Sequence, residues 1–459
     1  MATQPTITRS HLDDRVRGRV IVPGDDDYDE RRTVFLGGID RRPAAIVMAA
    51  DADDVARTVM FASETGAELA VRSGGHSGAG HSTTDGGIVL DLRDLNALEI
   101  DVDARTAWVQ PGLTAAAYTR EAGTHGLATG FGDAGSVGIG GITVGGGVGF
   151  LSRKYGLTID DLLAAEVVTA DGRIRQVDAD HEPDLFWAIR GGGGNFGVVT
   201  RLQLRLHPVG TVVGGMLMLP ATADVIAGFV AEADRAPDEL STIANVMPAP
   251  PAPFVPEAVQ GTLVVLAFMT FAGETEAGER VLAPFRALAE PVADMLGAIP
   301  YPQMYMPEDE SYHPIAISRT MFVDGVDRAV AETIMEHLEA SDATMRAAQL
   351  RVLGGAIARV PADATAFAHR DSKIMVNLAT FVDSPDQRDA REAWVEAFHQ
   401  ALLQGDHGAY VNFVNDEGTE RVHDAYPGPT WERLTEIKTR YDPTNLFRLN
   451  QNIPPKGSA

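Results

Sequence analysis

The chain has 459 residues, of which 45% are hydrophobic and 22% are charged, and it carries a formal net charge of −26 and no cysteine. This composition is typical of a folded globular protein. The length exceeds the roughly 250–300 residues at which one hydrophobic core stops growing, so two lobes are expected. The negative charge argues against nucleic acid and anionic lipid as partners. The lack of cysteine excludes disulfides, thiolate metal sites and a cysteinyl link to any cofactor.

Two features that the sequence lacks bear on location. The N-terminus has no apolar stretch of the kind that a secretion signal needs, and no window holds 18 consecutive apolar residues. We therefore expect a cytoplasmic protein that does not enter a membrane. The oligomeric state is left open between a monomer and a homodimer.

In chain order, the first lobe is predicted to alternate short strands and helices. Residues 53–65 have apolar side chains at helical spacing and end at Gly66, after which ELAVRSGG is typical of a strand that enters a glycine turn. Two stretches of alternating apolar and polar residues predict hairpins, with turns at 103–104 and 171–172. Between the hairpins, half of residues 132–149 are glycine, which predicts neither an ordinary helix nor an ordinary strand.

Beyond Pro208 the pattern changes to long amphipathic segments separated by apolar strands. The predicted helices are 222–235, 274–289, 326–340 and 386–403, the predicted strands are 261–272 and 373–382, and 248–256 is a proline-rich loop. This pattern predicts an α+β substrate lobe over 209–409, with an antiparallel sheet faced by helices. The first lobe is then 1–208, and the Asn- and Pro-rich tail, 410–459, is expected to wrap back onto it.

Three glycine clusters lie in the first lobe, at residues 72–80, 132–149 and 191–197. Glycine permits positive φ and close backbone approach, and successive backbone N–H groups can converge on a phosphate or a planar ring. Flexible loops are the alternative interpretation, and three clusters beside predicted strands argue against it.

One cluster matches a nucleotide-binding fingerprint in the wrong setting. Gly192, Gly194 and Gly197 have the G-x-G-x-x-G spacing, which needs a strand before it and a helix after it so that a pyrophosphate meets a helix N-terminus. Here a predicted helix precedes the glycines and a strand follows them, so an NAD-binding Rossmann site is not expected. The sequence has neither a P-loop nor a close set of His and carboxylate residues, and no metal site is predicted.

Several longer motifs together resemble one flavoprotein family. They read RSGGHSGAGHS, SVGIGGITVGGGVGFLSRKYG, DLFWAIRGGGGNFG, YVNFVNDE and YDPTNLFRLNQNI, within roughly residues 35–208 and 408–455. The chain is similar to the vanillyl-alcohol oxidase/p-cresol methylhydroxylase flavoproteins, and within them to the berberine bridge enzyme-like group, which includes a bacterial nicotine oxidase and oligosaccharide oxidases. The resemblance implies an FAD-binding domain of the PCMH type joined to a substrate domain. It also implies an FAD-linked oxidase.

The resemblance also assigns residues to the cofactor. His76 would carry a covalent link to the 8α-methyl group of the flavin, and Ala134 stands where many members have a cysteine that makes a second link, so the attachment would be single. The assigned residues are Arg72, Ser73, Gly74, Gly75, His76, Ser77, Gly80, His81, Gly135, Ser136, Val137, Gly138, Gly140, Gly141, Gly145, Gly146, Gly147, Val199, Tyr410, Asn450 and Asn452. The alternatives are a solvated loop for His76, strand packing for Val199, and an Asn-rich surface loop for the two asparagines.

Flavin oxidation needs a group that takes a proton from the substrate as hydride leaves. Tyr410 is the first candidate base, because the family places the Tyr of its Tyr-x-Asn segment over the flavin, and Asn412 would orient nearby groups. A tyrosine needs a nearby cation to lower its pKa of about 10. Arg351 or His369 could supply that charge, although a solvated strand arginine and a packing histidine are the respective alternatives.

Substrate and electron acceptor are less directly indicated. The segment 349–353 reads QLRVL, whereas the corresponding strand of the nicotine-oxidising relative carries acidic residues, so nicotine-like amines are in doubt. Val137 occupies a position where the family's small valine favours access of O₂, which predicts an oxidase that acts on a small molecule and releases H₂O₂. Ordinary packing is the alternative for Val137. The competing functions are a dehydrogenase with a different electron acceptor and a flavin-binding protein that has lost its catalytic activity.

Overall fold

The computed structural model describes residues 7–309 and 311–457, and the chain begins with a small mixed sheet. The elements here are α1 (Arg9–Asp13), β1 (Arg19–Ile21), α2 (Tyr28–Arg32), β2 (Ala45–Met48), α3 (Ala52–Thr65), β3 (Leu69–Arg72) and β4 (Ile88–Asp91). The strand order is β1-β2-β4-β3, and β2 and β3 both run parallel to β4. The crossover between β2 and β3 is α3, which begins with Asp51 as N-cap and ends at Gly66 with φ of +69°.

A five-stranded antiparallel sheet follows. Its region contains β5 (Leu98–Asp101), β6 (Thr106–Val109), α4 (Ala115–Gly123), β7 (Leu127–Ala128), α5 (Ile139–Gly145), α6 (Ser152–Tyr155), β8 (Leu162–Val168), β9 (Ile174–Asp178), α7 (Pro183–Ile189), β10 (Val198–Arg205) and β11 (His207–Pro208). The order is β5-β6-β10-β8-β9, and β7 pairs with β11 separately. Both predicted hairpins, β5-β6 and β8-β9, are confirmed. A helix precedes the 191–197 glycines and a strand follows them, as predicted.

The second lobe is built on an eight-stranded antiparallel sheet. Its elements are β12 (Thr211–Pro220), α8 (Ala223–Arg235), β13 (Leu240–Pro248), β14 (Leu263–Phe271), α9 (Thr275–Arg286), β15 (Ala293–Asp294), β16 (Gly297–Pro300), β17 (Ala316–Val323), α10 (Arg328–Ala340), β18 (Arg346–Val352), α11 (Ala356–Arg359), β19 (Ile374–Phe381) and α12 (Arg388–Leu402). The order is β15-β12-β14-β13-β18-β19-β17, and β16 also pairs with β12. The chain ends with α13 (Thr419–Ala425) and α14 (Pro429–Tyr441). The prediction of an α+β chain with an antiparallel second sheet is confirmed.

The two faces of the large sheet have different partners. One face packs on α8, α10 and α12, where Phe229, Ile334 and Phe398 share a core with Leu350 and Val376. The opposite face places Phe322 and Met375 in a cluster with Val148 and Tyr410, so it covers the first lobe. Because strand side chains alternate between faces, Gln349 and Arg351 lie on the face opposite to Leu350. In the part of the chain that the structure describes, no helix combines the length and apolarity needed to cross a membrane.

The glycine-rich segment 132–149 departs from its prediction. It contains the seven-residue helix α5, so the expectation of no ordinary helix is wrong. A Cβ on Gly140 would lie 2.7 Å from Pro111 Cβ, and one on Gly145 would lie 1.9 Å from Asn412 Oδ1. Close packing on both sides therefore requires glycine, and this tertiary context outweighs the low helix propensity of the residue.

The segment after α14 packs against the first sheet. Leu446 and Phe447 share a core with Leu90 of β4. The buried Lys438 ammonium donates to the Asn195 carbonyl at 2.8 Å, to the Asp442 carboxylate at 2.7 Å and to the Phe447 carbonyl at 3.0 Å. A buried lysine with three hydrogen-bonded partners is stable, so this side chain anchors the C-terminal segment beside the third glycine cluster.

Candidate active site

A cavity of about 410 Å³ lies where the three glycine clusters meet the C-terminal segment. Of the residues predicted to bind cofactor or substrate, the cavity is lined by Ser73, Gly74, Gly75, His76, Ser77, His81, Val137, Gly138, Gly140, Gly141, Val199, Tyr410, Asn412 and Asn450. The structure thus brings most of the predicted site together, from parts of the chain as distant as Ser73 and Asn450.

Two of the glycine turns meet backbone to backbone at one wall of the cavity. A Cβ on Gly74 would lie 2.2 Å from the Gly138 nitrogen, and a Cβ on Gly138 would lie 2.3 Å from the Gly74 nitrogen. Gly75 has φ of +76°, a backbone conformation that residues with a Cβ rarely adopt. Glycine at these positions leaves a concave backbone wall with room for a bound group.

His76 projects from the first glycine turn and also lines the cavity. Its ring stacks on Phe35, with centroids 4.2 Å apart and an angle of 17° between planes, and its Nε2 lies 3.1 Å from Ser136 Oγ. Burial lowers the pKa of His76, against the opposing charge of Glu308. A neutral imidazole has one nitrogen with a free lone pair, the form that acts as a nucleophile.

Tyr410 lies at the second chemically distinctive part of the cavity. Its hydroxyl oxygen accepts hydrogen bonds from the Gly147 N–H at 2.8 Å, the Val148 N–H at 3.3 Å and the Asn412 amide at 3.0 Å. Burial raises the pKa of Tyr410, while these hydrogen bonds and the Arg351 charge act to lower it. Three donors aimed at one phenolic oxygen are the arrangement that stabilises a phenolate.

Of the two predicted cations, only Arg351 lies close to this tyrosine. Phe413 separates them: its ring is 5.2 Å from the Arg351 guanidinium carbon and 5.2 Å from the Tyr410 ring. The Arg351 guanidinium donates to Asp133 at 2.9 Å, to the Val148 carbonyl at 3.1 Å and to the side chain of Gln349 at 2.9 Å. Arg351 is therefore a buried cation held firmly from four sides, including the aromatic face of Phe413.

His369 is placed differently. It does not line the cavity, and its Nε2 lies 3.1 Å from the carbonyl of Ala425, to which it donates. Phe367 stands between it and Tyr410, with ring centroids 6.0 Å from His369 and 6.2 Å from Tyr410. Burial lowers the pKa of His369, which keeps its ring neutral. The structure does not bring a charged His369 to the tyrosine.

Other predicted cofactor residues lie behind the cavity wall. Arg72 donates to the carbonyls of Ser82 at 3.0 Å and Arg32 at 3.3 Å, and burial lowers its pKa to about 10. This guanidinium holds the loops around the first turn. The remaining residues outside the lining are Gly80, Gly135, Ser136, Gly145, Gly146, Gly147 and Asn452. Gly147 nevertheless contributes its N–H to Tyr410, and Ser136 contacts His76.

Several buried polar atoms at the site lack protein partners. Among the described residues, none donates to Asn450 Oδ1 or Asn452 Oδ1, and none pairs with His81 Nδ1. Buried polar groups are normally hydrogen-bonded, so orphaned atoms beside a cavity indicate a bound group. A cavity with glycine walls, buried amide oxygens and a neutral imidazole fits a flavin nucleotide, since such a ligand presents ring, ribose and phosphate groups together.

Some site residues were missed by the sequence analysis. Asp133 and Phe413 line the cavity, and Asn195 lines it beside the third glycine cluster. Phe413 lies one position beyond the predicted Tyr-x-Asn segment, so its proximity could have been anticipated. Glu308, which contacts Gly135 and Ser136, lies in a loop of the second lobe, and no local sequence pattern marks it.

Comparison with known proteins identifies the class that this fold and cavity define. The sequence family described as FAD binding domain matches residues 43–178, and the family described as berberine and berberine like matches residues 409–454. The chain is 31% identical to (R)-6-hydroxynicotine oxidase of Paenarthrobacter nicotinovorans, over 96% of this chain and 98% of that protein. It is therefore an FAD-dependent oxidoreductase. It belongs to the berberine bridge enzyme-like family of FAD-linked oxidases.

Two further likenesses agree with that assignment. A crystal structure of 6-hydroxy-D-nicotine oxidase from Arthrobacter nicotinovorans superimposes with a TM-score of 0.85 at 28% identity, covering 96% of this chain and 98% of that one. Xylooligosaccharide oxidase from Thermothelomyces thermophilus is 26% identical over 99% of this chain and 96% of that protein. Relatives named for an alkaloid and for sugars thus share this fold, and the matched FAD binding domain gives FAD as the cofactor.

Proposed function

We propose that the chain is an oxidase with FAD attached through a single covalent bond from His76, and that it oxidises an alcohol or amine carbon and releases H₂O₂. The observation that carries the proposal is the Tyr410 hydroxyl, which accepts three N–H donors at the wall of a cavity that His76 also lines. One site then contains a nucleophile for attachment and a base for substrate.

FAD, when bound, supplies a ring that accepts hydride from the substrate carbon. Tyr410 accepts the proton from the substrate O–H or N–H, and the Gly147, Val148 and Asn412 donors stabilise its negative charge. The Arg351 charge acts in the same direction. Asn450 and His81 would hold the nucleotide through Oδ1 and Nδ1, to which none of the described residues hydrogen-bonds.

Strand β18, which contains Arg351, also bears on the substrate. Arg351 is buried near Tyr410 but does not line the cavity, and its charge is paired with Asp133, which does line it. Phe413 offers an apolar surface at the same place, and Asp133 and Gln349 hold the guanidinium in position. Because strand β18 carries no acidic residue that could bind an ammonium group, we rank alcohols, sugars and aromatic alcohols ahead of nicotine-like amines, although the nicotine-oxidising relative shares more sequence with the chain.

The proposal of O₂ as acceptor depends on Val137, whose side chain lines the cavity. A valine is small enough to leave a path to the reduced ring. The test is to reduce the enzyme anaerobically, admit air and follow flavin absorbance together with H₂O₂. Reoxidation within seconds, with one peroxide per flavin, supports an oxidase. Reoxidation over minutes, with dye reduction intact, would assign a dehydrogenase instead.

Covalent attachment has its own experiment. The purified protein is precipitated with acid and its intact mass is measured, with His76→Ala as the matched variant. We expect wild type to remain yellow and to be heavier by one FAD, and the tryptic peptide that contains His76 to carry the added mass. The variant should bind FAD only reversibly. Wild-type protein that releases all its flavin on precipitation would reject the covalent bond.

Substrate oxidation is tested with a panel of sugars, aromatic alcohols and amines, by anaerobic bleaching of the flavin. Bleaching by an alcohol and not by amines is the expected outcome. No bleaching by any member would favour a flavin-binding protein without catalytic activity.

We retain 1–208, 209–409 and 410–459 as proposed domains. The cytoplasmic location and the monomeric or homodimeric state stay predictions.

A further inference from the structure

A chain of three polar groups runs from His76 to the surface. Ser136 Oγ lies 3.1 Å from His76 Nε2 and also hydrogen-bonds to a carboxylate oxygen of Glu308. The other Glu308 oxygen accepts the N–H groups of Gly135 at 2.6 Å and Ser136 at 3.1 Å. Glu308 is exposed to solvent, whereas Ser136 and His76 are half-buried. The second lobe therefore supplies a carboxylate to the histidine of the first.

The positions of the hydrogen atoms in this series of hydrogen bonds can be assigned by elimination. An ionised carboxylate only accepts hydrogen bonds, so Ser136 must donate its one hydroxyl proton to Glu308. Ser136 Oγ then has only lone pairs to offer His76, and Nε2 must carry the imidazole N–H. The free lone pair is consequently on Nδ1. Phe35, stacked at 4.2 Å, holds the ring in this orientation.

We propose that Glu308 and Ser136 are positioning residues for flavin attachment, because they set the His76 tautomer that leaves Nδ1 as nucleophile and they accept the proton that the imidazole must then lose. The inference rests on the proposed attachment at His76. It concerns how the bond forms rather than what the finished enzyme oxidises.

The balance of the attachment step requires such a proton acceptor. A bond forms between Nδ1 and the 8α carbon, and one C–H bond of that methyl group breaks. Two electrons would remain on the flavin and pass to dissolved O₂, which takes up two protons from solvent and leaves as H₂O₂, and the proton of the methyl carbon would be released to water. The alkylated ring would stay cationic while Nε2 keeps its proton. That proton passes to Ser136 Oγ as the hydroxyl proton passes to Glu308, which can release it to water.

The test follows attachment in apoprotein made by riboflavin-starved cells. FAD is added in air, samples are denatured in acid at intervals, and intact mass gives the covalent fraction. Glu308→Gln and Ser136→Ala should slow attachment by about 10²-fold, the lower end of what loss of a general base costs. Asp309→Asn is the matched control, since among the described residues its carboxylate hydrogen-bonds to Ser311 within the same loop. It should attach FAD at the wild-type rate.

Two further measurements separate a relay from a merely structural role. Reversible FAD binding, measured before attachment proceeds, should be retained in Glu308→Gln, whose side chain is exposed. Added acetate should speed attachment in Glu308→Gln, because the exposed position lets a small carboxylate replace the missing one, and should leave wild type unchanged. Wild-type attachment rates in both variants would reject the roles of Glu308 and Ser136 and leave the covalent bond to His76 in place. Lack of attachment in wild type would overturn the relay together with the covalent bond.

Discussion

The His76 and Tyr410 ends of the cavity are built in different ways. His76 is fixed by Phe35 and by Ser136, a residue 60 positions away within the first lobe. Tyr410 comes from the tail, and its hydrogen bond to Gly147 joins residues 263 positions apart, while its neighbouring charge comes from the second lobe. The orientation of His76 thus depends mainly on the first lobe, with one carboxylate from the second, whereas the Tyr410 cluster joins both lobes and the tail. Variants at the two ends should therefore fail differently.

The largest expected effect is on the Tyr410 end. Tyr410→Phe removes the proposed base and should lower the rate of flavin reduction by about 10²–10⁴-fold, as loss of a general base does. Covalent flavin should be unchanged, because His76 is untouched. The measurement is stopped-flow absorbance under anaerobic conditions with the best substrate of the panel.

The matched control for that variant is Tyr426→Phe. Tyr426 lines the same cavity, but its hydroxyl donates to the Gly191 carbonyl at 3.0 Å and takes no part in the Tyr410 cluster. Its removal should cost about 1 kcal/mol of folding free energy and leave flavin reduction within a few fold of wild type. Equal losses of reduction rate in both variants would mean that Tyr410 acts only by packing.

A second pair of variants, both in helix α5, tests the two ends of the cavity separately. In α5, a methyl on Gly145 would overlap the Asn412 amide, with Cβ 1.9 Å from Oδ1, whereas a methyl on Gly141 would meet no protein atom within 4 Å. Gly145→Ala should displace Asn412, remove one donor from Tyr410 and slow flavin reduction by about 10–100-fold, equivalent to about 1.4–2.7 kcal/mol.

Gly141 lines the cavity, so the effect of Gly141→Ala should fall on flavin binding. Reversible FAD affinity, measured in a His76→Ala background, should fall in Gly141→Ala and change little in Gly145→Ala. The opposite pattern would contradict the division of the site into a cofactor end and a proton-transfer end.

The sequence predicted the local parts of this site better than the distant ones. The strand into the first glycine turn, both hairpins and the helix-before-strand order around residues 191–197 depend on nearby residues, and each was predictable. The helix α5 was not, because its glycines are explained by neighbours distant in sequence, such as Asn412. Glu308 reaches Ser136, and Arg351 reaches Asp133, through contacts between the lobes. The hydrophobic periodicity of a single sequence carries no information about contacts between residues distant along the chain.

The Arg351 charge should shift the pH profile. Tyr410 acts as a base in its deprotonated form, and burial raises its pKa, so the rate of flavin reduction should increase with pH in the wild-type enzyme. Arg351→Met removes an influence that lowers this pKa, and its profile should move to higher pH by about one unit, a tenfold loss at neutral pH. Arg351→Lys keeps the charge and should move it less. A profile that is independent of pH in all three proteins would exclude tyrosine as the base.

The smallest expected effect concerns electron transfer to O₂ and not the substrate. Val137→Leu adds one methylene to a side chain of the cavity wall, and reoxidation of the reduced flavin by O₂ should slow by about three- to tenfold, equivalent to about 0.7–1.4 kcal/mol in the barrier. Substrate reduction and covalent attachment should stay at wild-type values, because Val137 donates no side-chain hydrogen bond to either end. Val137→Ala, which enlarges the path, should match or exceed the wild-type rate. Reoxidation of Val137→Leu at the wild-type rate would show that residue 137 does not control the access of O₂. The identity of the electron acceptor would then rest on the measurement of H₂O₂.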